Sequence, residues 1–545
     1  MRYSGTIFDP LGRRSFRGHV DVEDGHIARL VEDASVEPSR CILPGFVDAH
    51  IHIESSMLPP AEFARLATVH GTVAAVCDPH EIANVLGVDG VRFMLVDAAR
   101  VPFHFAFGAP SCVPATSFET SGATLGAAEL TPLFEASDVT FLSEVMNYPG
   151  VLAGDPEVLA KVALARRLGR PIDGHAPGLR GEPLRGYAAV GISTDHECTS
   201  LAEARDKLDA GMNIIVREGS AARDFEALHP LLATHADRCM FGSDDRHPDD
   251  LAESHIDGLV ARALAHGHAP LEVLRAACVV PVLHYGLPVG LLRPGDPADF
   301  LIAEGLTEPQ RGALRVLETY VAGRLVAANG APLLEHHGAR ELGRVAHPPL
   351  EKSSLVLPAE RPDVRVIGVE DGQLVTRALV GRARLTDGAV TADPQNDILK
   401  LVVVNRYGLA PPAVAFIRGF GLARGALASS VAHDSHNLIA VGASDEDLLA
   451  ALDAIIESGG GVAVSSAGRT DVLALPIAGL MSPLDGYEVA RRYRALDAHA
   501  KALGSTLRAP FMTLSFMALL VIPSLKLSDR GLFDSEEFRF VSPLL

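Results

Sequence analysis

Short apolar runs alternate with amphipathic stretches over about half of this chain, from residue 41 to residue 288. The stretches between the runs, such as Pro156–Gly169 and Leu201–Gly211, are rich in Ala, Leu, Glu, Asp and Arg and predict helices. This alternation is typical of repeated βα units and a parallel sheet. The predicted strands are Ile42–His52, Val73–His80, Phe103–Pro110, Val139–Asn147, Pro171–His175, Gly191–His196, Asn213–Glu218 and Cys239–Asp245.

These eight strands indicate an α/β fold, with a (β/α)₈ TIM-like barrel over residues 44–290. A doubly wound open sheet is the alternative. It would make the polar residues at the strand ends harder to gather around one site. We therefore expect the barrel.

The residues on either side of the barrel predict a small β-domain, formed by 1–43 and 291–330. Its first part has the pattern of short strands with glycine turns, at Tyr3–Ile7, Gly18–Val22 and Gly25–Leu30. Its second part has a turn and strand over Gly295–Ile302 and a hairpin over Leu317–Val326. The barrel is thus expected to be inserted into this β-domain.

The rest of the chain predicts a linker and a further domain. Residues 331–362 are rich in Pro, His and Glu and are expected to form the linker. Residues 363–545 predict a C-terminal α/β domain, with a strand at Ile398–Asn405 and a helix at Asp445–Ser458. The glycines at 459–461 follow that helix without a Lys-Ser or Lys-Thr pair, so they predict a left-handed helix end, not a phosphate loop.

Composition narrows the class of protein. The chain has 545 residues, enough for three or four domains, and a formal net charge of −20, which argues against a nucleic-acid partner. Its 48% apolar and 21% charged residues are typical of a globular protein. Six scattered cysteines without a CxxC pair argue against a disulfide scaffold, a zinc ribbon or an iron–sulfur site.

No segment has the pattern of a signal peptide or a membrane span. Residues 1–16 lack an apolar core. The most apolar stretch, Pro510–Leu525, is shorter than the roughly 20 residues that a spanning helix needs, and it predicts a buried strand or short helix. We expect a cytoplasmic protein with no membrane partner.

Polar residues gather where the predicted barrel strands end, which is where barrel enzymes place their chemistry. His50 and His52 alternate on one strand, so both point to the same face and can share one metal ion. His175 and His196 follow neighbouring strands and can share a second ion, with a carboxylate between the two pairs. Candidate ligands end six of the strands: Asp48, His50 and His52; Asp78, His80 and Glu81; Glu144; Asp173 and His175; Asp195, His196 and Glu197; Asp244 and Asp245.

A single buried histidine is more often a hydrogen-bonded core residue than a metal ligand. A whole set at successive strand ends instead favours a metal centre. Imidazole with carboxylate suits zinc, manganese or iron, and a pair of such ions lowers the pKa of a bound water so that it can attack at neutral pH.

The motifs at these strand ends resemble the microbial adenine deaminase family of the amidohydrolase superfamily. The opening strand, residues 44–52, is similar to that of the superfamily, and further motifs extend the resemblance over nearly the whole chain. They lie at residues 53–57, 78–84, 143–147, 174–178, 194–197, 244–248, 419–421, 429–437 and 510–516.

The resemblance implies that a glutamate, Glu144, bridges the two ions. Many related enzymes use a carboxylated lysine instead. Before residue 330 the only lysines are Lys161 and Lys207, and both lie in predicted helices away from the strand ends. A lysine bridge is therefore not expected here.

The implied reaction is metal-dependent hydrolytic deamination of adenine to hypoxanthine and ammonia. One ion would take His50, His52 and Asp244, and the other His175 and His196. The bridging hydroxide would attack C6 of adenine, Asp244 would accept its proton, and Glu81 would carry a proton to ring N1. A salt-bridged loop carboxylate is the competing interpretation of Glu81. The resemblance implies two divalent transition-metal ions per subunit, manganese or iron with zinc as a further candidate, and a homo-oligomer, taken as a homodimer.

Five further residues have open roles. Asp78 and His80 are expected to hydrogen-bond the metal ligands or to form an extra weak metal site. Arg246 is expected to anchor the eighth loop or to face substrate. His433 and His436 are interpreted as part of a wall that contacts the purine, with a solvated turn as the alternative.

Two other functions compete with this one. The chain could be another cyclic amidohydrolase acting on a different purine or amide ring. It could also be a barrel that has lost catalysis and serves as an oligomeric scaffold, but such a protein should lack ligands that this chain retains.

Overall fold

The first four strands of the computed structural model belong to one open sheet. They pair in the order β4-β1-β2-β3, with β4 parallel to β1 and the other pairs antiparallel. The structure describes residues 1–37, 40–136, 138–306 and 314–545. The strands are β1 (Arg2–Asp9), β2 (Arg14–Glu23), β3 (His26–Glu32) and β4 (Cys41–Pro44).

The single strand predicted over Ile42–His52 is two strands in the structure, because the chain leaves the open sheet at Gly45. A Cβ at Gly45 would lie only 2.3 Å from Cγ2 of Val73, so a larger residue would clash with the neighbouring barrel strand. The segment before Gly45 pairs in the open sheet, and the segment after it begins the barrel.

Each of the eight predicted runs contains one parallel barrel strand. The strands hydrogen-bond in two groups, five in the first half and three in the second. They are β5 (Phe46–Ile51), β6 (Thr72–Cys77), β7 (His104–Ala109), β8 (Phe141–Val145), β9 (Ile172–Gly174), β10 (Thr194–Asp195), β11 (Asn213–Arg217) and β12 (Cys239–Gly242).

Backbone hydrogen bonds close these groups into a ring. The amide of Ser193, just before β10, donates to the carbonyl of Ile172 in β9 at 2.9 Å. On the other side, the amide of Asp244 donates to His50 at 2.9 Å and its carbonyl accepts from His52 at 3.3 Å. The last strand thereby returns to the first, and the expected barrel is confirmed.

Helices connect the barrel strands, as the sequence predicts. A π-helical turn, Arg275–Val279, separates the last two. The α-helices are α1 (Pro60–Ala67), α2 (His80–Leu86), α3 (Val88–Ala98), α4 (Ala127–Glu135), α5 (Tyr148–Ala153), α6 (Pro156–Arg167), α7 (Gly181–Ala189), α8 (Leu201–Asp209), α9 (Phe225–Leu228), α10 (Leu232–His235), α11 (Pro248–Glu253), α12 (Ile256–Ala265), α13 (Pro270–Leu274) and α14 (Val280–Tyr285).

After the barrel the chain returns to the open sheet. The first returning strand pairs antiparallel with β4, so strands from before and after the barrel share one sheet. The returning strands are β13 (Phe300–Glu304), β14 (Arg315–Val321), β15 (Arg324–Ala328) and β16 (Ala331–Pro332).

The C-terminal part has mixed α/β structure, with a large sheet ordered β19-β18-β23-β22-β25-β24-β26-β27. Its strands are β17 (Leu357–Pro358), β18 (Asp363–Gly368), β19 (Arg377–Arg382), β20 (Arg384–Thr386), β21 (Ala389–Thr391), β22 (Leu399–Val404), β23 (Ala413–Arg418), β24 (Ala426–Ser429), β25 (Leu438–Gly442), β26 (Gly461–Ser466), β27 (Arg469–Ala474), β28 (Leu525–Ser528), β29 (Gly531–Asp534) and β30 (Arg539–Phe540). Its helices are α15 (Asp445–Glu457), α16 (Gly486–Ala502) and α17 (Pro510–Ser515).

Two local predictions hold in this part. Gly459 and Gly460 have φ of 79° and 118° at the end of α15, as a left-handed helix end requires. The apolar stretch from residue 510 begins with the short buried helix α17. Within the described residues, no helix combines the length and apolar character needed to span a membrane. The cytoplasmic location stays a prediction.

The C-terminal part packs directly on the barrel. One apolar cluster runs from barrel residues such as Met57 and Phe63 to Leu480 and Phe516 of the C-terminal part. Polar contacts add to it, since Glu62 in α1 accepts the amide of Gly486 at 2.8 Å. The segment expected to be a linker also contacts the C-terminal part, where the amide of Val345 donates to Gly459 at 2.9 Å. The barrel and the C-terminal part therefore share one apolar core.

Candidate metal centre

Histidines and carboxylates from five barrel strands meet at the carboxyl ends of those strands. This is the edge at which a parallel barrel brings its βα loops together. All are buried except His175, which is 15% exposed. They are His50 and His52 from β5, Glu144 from β8, His175 after β9, His196 after β10 and Asp244 after β12.

Glu144 lies between the histidines of the two sides. Its Oε2 is 2.7 Å from Nδ1 of His175 and 3.0 Å from Nε2 of His196. Its Oε1 is 3.4 Å from Nε2 of His52 and 3.5 Å from Nδ1 of His80. One carboxylate therefore reaches both groups of imidazoles, which is the position that a bridging ligand needs.

Asp244 is held against the first strand. It has a positive φ of 53°, and its backbone hydrogen bonds to both sides of Ile51 fix its position. Its Oδ1 is 3.5 Å from Nε2 of His50 and 3.3 Å from Nε2 of His52. The rings of His50 and His196 stack, with centroids 3.9 Å apart. His50 and Asp244 therefore also lie beside the second pair of histidines.

The donor atoms fit metal ions. Two ligands at about 2.1 Å from one ion lie roughly 3.0–3.4 Å apart, close to the spacings around Glu144 and Asp244. Nε2 of His50 is among the buried atoms that have no hydrogen-bond partner in the described structure. Leaving such an atom unpaired costs about 1–3 kcal/mol, and a cation would satisfy the one on His50.

Asp78 and His80 lie next to this centre. Nδ1 of His80 is 3.0 Å from Oδ2 of Asp78, and the backbone carbonyl of Asp78 is 3.2 Å from Nδ1 of His52. Ligand atoms of His52, Asp78, His80 and Glu144 all lie within 4.8 Å of one another. Both of the roles expected for Asp78 and His80 are therefore geometrically available.

Charges near the centre favour ionised carboxylates. Burial alone would raise the pKa of Glu144, but His175 and His196 hold it well below its usual range. Burial likewise opposes the charge of Asp244, whose pKa Arg217 nevertheless holds well below the usual range. Both side chains are thus in the form that binds a metal.

Sequence reasoning missed Arg217 and the role of Glu197. Arg217 ends β11 and is buried, with Nη1 2.6 Å from Oδ2 of Asp244 and Nε 3.0 Å from Oδ2 of Asp224. Nη2 donates to Glu197 at 2.9 Å. The available signal was the pair Arg217 and Glu218 at the end of the predicted strand Asn213–Glu218. No candidate ligand was assigned to the end of this strand or of Phe103–Pro110.

Arg246 does not lie among these groups. Its guanidinium donates to the backbone carbonyls of Glu218, Asp250 and Ser254, at 3.0, 3.2 and 2.7 Å. These bonds link the loop after β12 to the loop after β11. The role of Arg246 stays a prediction.

The pocket beside the centre has an apolar wall from the C-terminal part. Glu81, at the start of α2, lies in this pocket and contacts His433 and His436. The apolar lining residues are Met146, Leu374, Phe516, Leu519 and Ile522. Four of these five come from beyond residue 370, so two distant parts of the chain build one pocket.

Family models and curated relatives match this architecture. Residues 41–326 match the model of the amidohydrolase family, and residues 373–539 match that of the adenine deaminase C-terminal domain. An adenine deaminase of Salinibacter ruber is 56% identical over 540 residues, covering 99% of this chain and 98% of that protein. One of Sulfurovum sp. is 52% identical, covering 99% of each chain. The resemblance found in the sequence is confirmed: the chain belongs to the adenine deaminase family and carries an amidohydrolase barrel.

Proposed function

We propose that this protein hydrolyses adenine to hypoxanthine and ammonia. In this reaction water adds its oxygen to C6, the bond from C6 to the amino nitrogen breaks, and the nitrogen leaves as ammonia. The high identity to curated adenine deaminases over nearly the full chain supports the substrate. The position of Glu144 between His52 and the pair His175 and His196 is the observation that carries the chemistry.

The amidohydrolase family is metal-dependent, and this chain has clusters of His, Asp and Glu able to hold a metal. The finer assignment is two divalent ions: His50, His52 and Asp244 would hold one, His175 and His196 the other, and Glu144 both. When bound, such ions act as Lewis acids and lower the pKa of water enough for attack at neutral pH. Manganese or iron is proposed, and zinc suits the same ligands.

Two carboxylates are proposed to move protons. Asp244 has one oxygen facing His50 and His52 and the other held by Arg217, so it is fixed where water would be activated. It would accept the proton of the attacking water and pass it to the leaving ammonia. Glu81 would carry a proton to ring N1 and so draw electron density from C6.

The apolar wall suits a flat heterocycle. Leu374, Phe516, Leu519 and Ile522 line the pocket and would give a purine ring apolar contact. Phe516 and Leu519 are buried, which limits access of bulk water to this wall. The proposed homodimer rests on the family resemblance alone and stays a prediction.

The test is an assay of the metal-loaded protein with adenine, following ammonia release and the ultraviolet spectrum. We expect stoichiometric hypoxanthine and ammonia, with no turnover by Glu144→Gln and full turnover by Glu457→Gln, a control at an exposed glutamate. Guanine, cytosine and cyclic amides assayed in parallel test the alternative of another cyclic amidohydrolase. Turnover of one of these in place of adenine would overturn the proposal.

A further inference from the structure

A tight turn of the C-terminal part reaches the pocket side of α2. This turn lies between β24 and β25 and spans residues 432–437. Two of its side chains, His433 and His436, are 2% and 1% exposed and contact Glu81, which is separated from them by more than 350 residues of sequence. Glu81 is itself 2% exposed. Barrel and C-terminal part thus share one buried polar cluster beside the proposed metal centre.

The backbone fixes the tautomer of His436. The amide of Ala432 donates to Nδ1 of His436 at 3.2 Å, so that nitrogen carries a lone pair and no proton. In a neutral imidazole the proton then lies on Nε2, the atom that contacts Oε2 of Glu81. Burial lowers the pKa of His436, which favours this neutral form. His436 is therefore a hydrogen-bond donor to the carboxylate.

His433 contacts the other carboxylate oxygen. Its Nδ1 bonds to Oε1 of Glu81, and its ring stacks on Phe516 with centroids 4.5 Å apart and an interplanar angle of 18°. Its Nε2 is buried without a hydrogen-bond partner in the described structure and lies 3.9 Å from Oδ1 of Asp245. Since His433 lines the pocket, this nitrogen is available to a ligand there.

The turn is held rigidly enough to aim both rings. The hydroxyl of Tyr407 donates to the carbonyl of Ser435 at 2.6 Å, and Nδ2 of Asn437 donates to the carbonyl of Thr120 at 2.9 Å. His436 has a positive φ of 53°, a backbone conformation that costs free energy in residues other than glycine. Such a cost is sustained where the surrounding contacts determine the conformation.

We propose that His436 and His433 clamp the carboxylate of Glu81 from the C-terminal part, that His436 is a positioning residue for it, and that His433 also presents Nε2 to a ring nitrogen of the substrate. This inference rests on the proposed function, in which Glu81 moves a proton to the purine. With both oxygens held, the carboxylate cannot rotate away from that proton path. A misplacement of about 1 Å in such a group can cost about 100-fold in rate.

The test compares His436→Gln with His436→Leu in the metal-loaded full chain. The amide of glutamine retains an N–H donor, and leucine of similar volume does not. We expect kcat of His436→Leu to fall about 100-fold, with KM within about threefold of wild type and two ions still bound. His436→Gln should regain at least tenfold of the lost rate. Equal kcat for wild type and His436→Leu, or no advantage of Gln over Leu in folded protein, would overturn the positioning role.

The role of His433 is tested through substrate affinity. His433→Leu removes both the bond to Glu81 and the free Nε2, so we expect KM for adenine to rise about tenfold in addition to a fall in kcat. This split between KM and kcat distinguishes it from His436→Leu. An unchanged KM would contradict contact of His433 with the substrate.

One measurement separates this inference from the proposed function. In zinc-loaded, ¹⁵N-histidine-labelled protein, which is diamagnetic, we expect His436 to show a neutral ring protonated at Nε2, identified by loss of its signal in His436→Gln. Glu81→Gln should shift that signal. A different tautomer would overturn the clamp whether or not adenine is turned over, whereas wild type that does not act on adenine contradicts the proposed function alone.

Discussion

Two buried carboxylates in this molecule, Glu144 and Glu81, each have two imidazoles as their nearest neighbours, but these contacts are arranged differently. Around Glu144 both His175 and His196 approach the same oxygen, and their nearest nitrogens are only 3.3 Å apart. Around Glu81 each oxygen receives its own imidazole. The first arrangement concentrates several donor atoms around one point, and the second distributes them over both oxygens.

On the two proposals above, this difference separates a cation site from a hydrogen-bonded clamp. Atoms that converge on a shared point are arranged as ligands around an ion, and the remaining oxygen of Glu144 is free to face His52 and His80. Glu81, His433 and His436 also lie close enough together to hold an ion. In the proposed clamp, however, the Nε2 proton of His436 occupies the place that an ion would need. The four nearest imidazoles, two at each carboxylate, thus have different proposed roles because their lone pairs point in different directions.

The largest effect on activity is expected from removal of the proposed metal ions. Treatment with a chelator, or the variant Glu144→Gln, should reduce deamination below detection, because the proposed water activation requires both ions. Metal analysis should show fewer than two ions per chain in the variant, and manganese or iron should restore the chelated wild type only. Full activity without bound metal would contradict the proposal that Glu144 and its neighbouring histidines hold metal ions.

The next largest effect on activity is expected from a change at Glu81. Glu81→Gln keeps the volume but removes the ionisable oxygen, so kcat should fall about 10²–10⁴-fold, the usual contribution of a positioned acid or base. Metal content should remain at two ions per chain, in contrast to Glu144→Gln. Loss of metal in Glu81→Gln would instead place Glu81 among the ligands.

A smaller effect is expected at Arg217, which contacts both Asp244 of the proposed metal centre and Glu197. Arg217→Met leaves Asp244 and Glu197 buried without their cationic partner, a change that typically costs about 3–5 kcal/mol. The melting temperature should fall, and kcat should fall with it because Asp244 loses one of its contacts. Arg180→Met provides the control, since the exposed pair of Arg180 with Asp206 is screened by solvent and should contribute little to stability.

The smallest effect concerns the apolar wall beside His433. Lys526 is fully buried, donates to the carbonyls of Leu374 and Phe516 at 2.8 and 3.0 Å, and has its pKa lowered by burial from 10.5 to about 7. Between these two pH values the unfolded chain binds a proton that the folded chain does not, so stability rises with pH, by at most about 1.4 kcal/mol per unit.

The matched variant for this effect is Lys526→Met, which lacks the titrating amine. Melting temperatures of both proteins measured from pH 7 to pH 9.5 should diverge, with the wild type gaining relative to the variant as pH rises. Parallel curves would show that Lys526 has an ordinary pKa in the folded protein.

The barrel half of the site could be predicted because strand ends follow a local rule. A parallel strand ends where its apolar run ends, and the ends of all strands meet at one edge, so His50, His52, Glu144, His175, His196 and Asp244 could be placed together without coordinates. The same rule missed Arg217, because an arginine at a strand end does not suggest a metal ligand. It also left Arg246 open between two roles.

The contacts of Glu81 could not be predicted in this way. His433 and His436 were noted as a dense polar cluster, but nothing local indicates which carboxylate they face. Their partner lies more than 350 residues away, and the pairing depends on how the C-terminal sheet packs against α1 and α2. The same holds for Leu374 and Phe516, which as isolated residues are ordinary core positions.

Hydrophobic periodicity, strand ends and motifs are local properties of the chain, and they were enough to predict the eight-stranded barrel, the imidazoles and carboxylates at its mouth and the family. The atomic contacts could be read only from the folded structure: His175 and His196 at one oxygen of Glu144, His433 and His436 at separate oxygens of Glu81, and Arg217 against Asp244. Hydrogen bonds and metal ligation depend on distances of about 2–3 Å and on direction, and only packing between distant segments sets these.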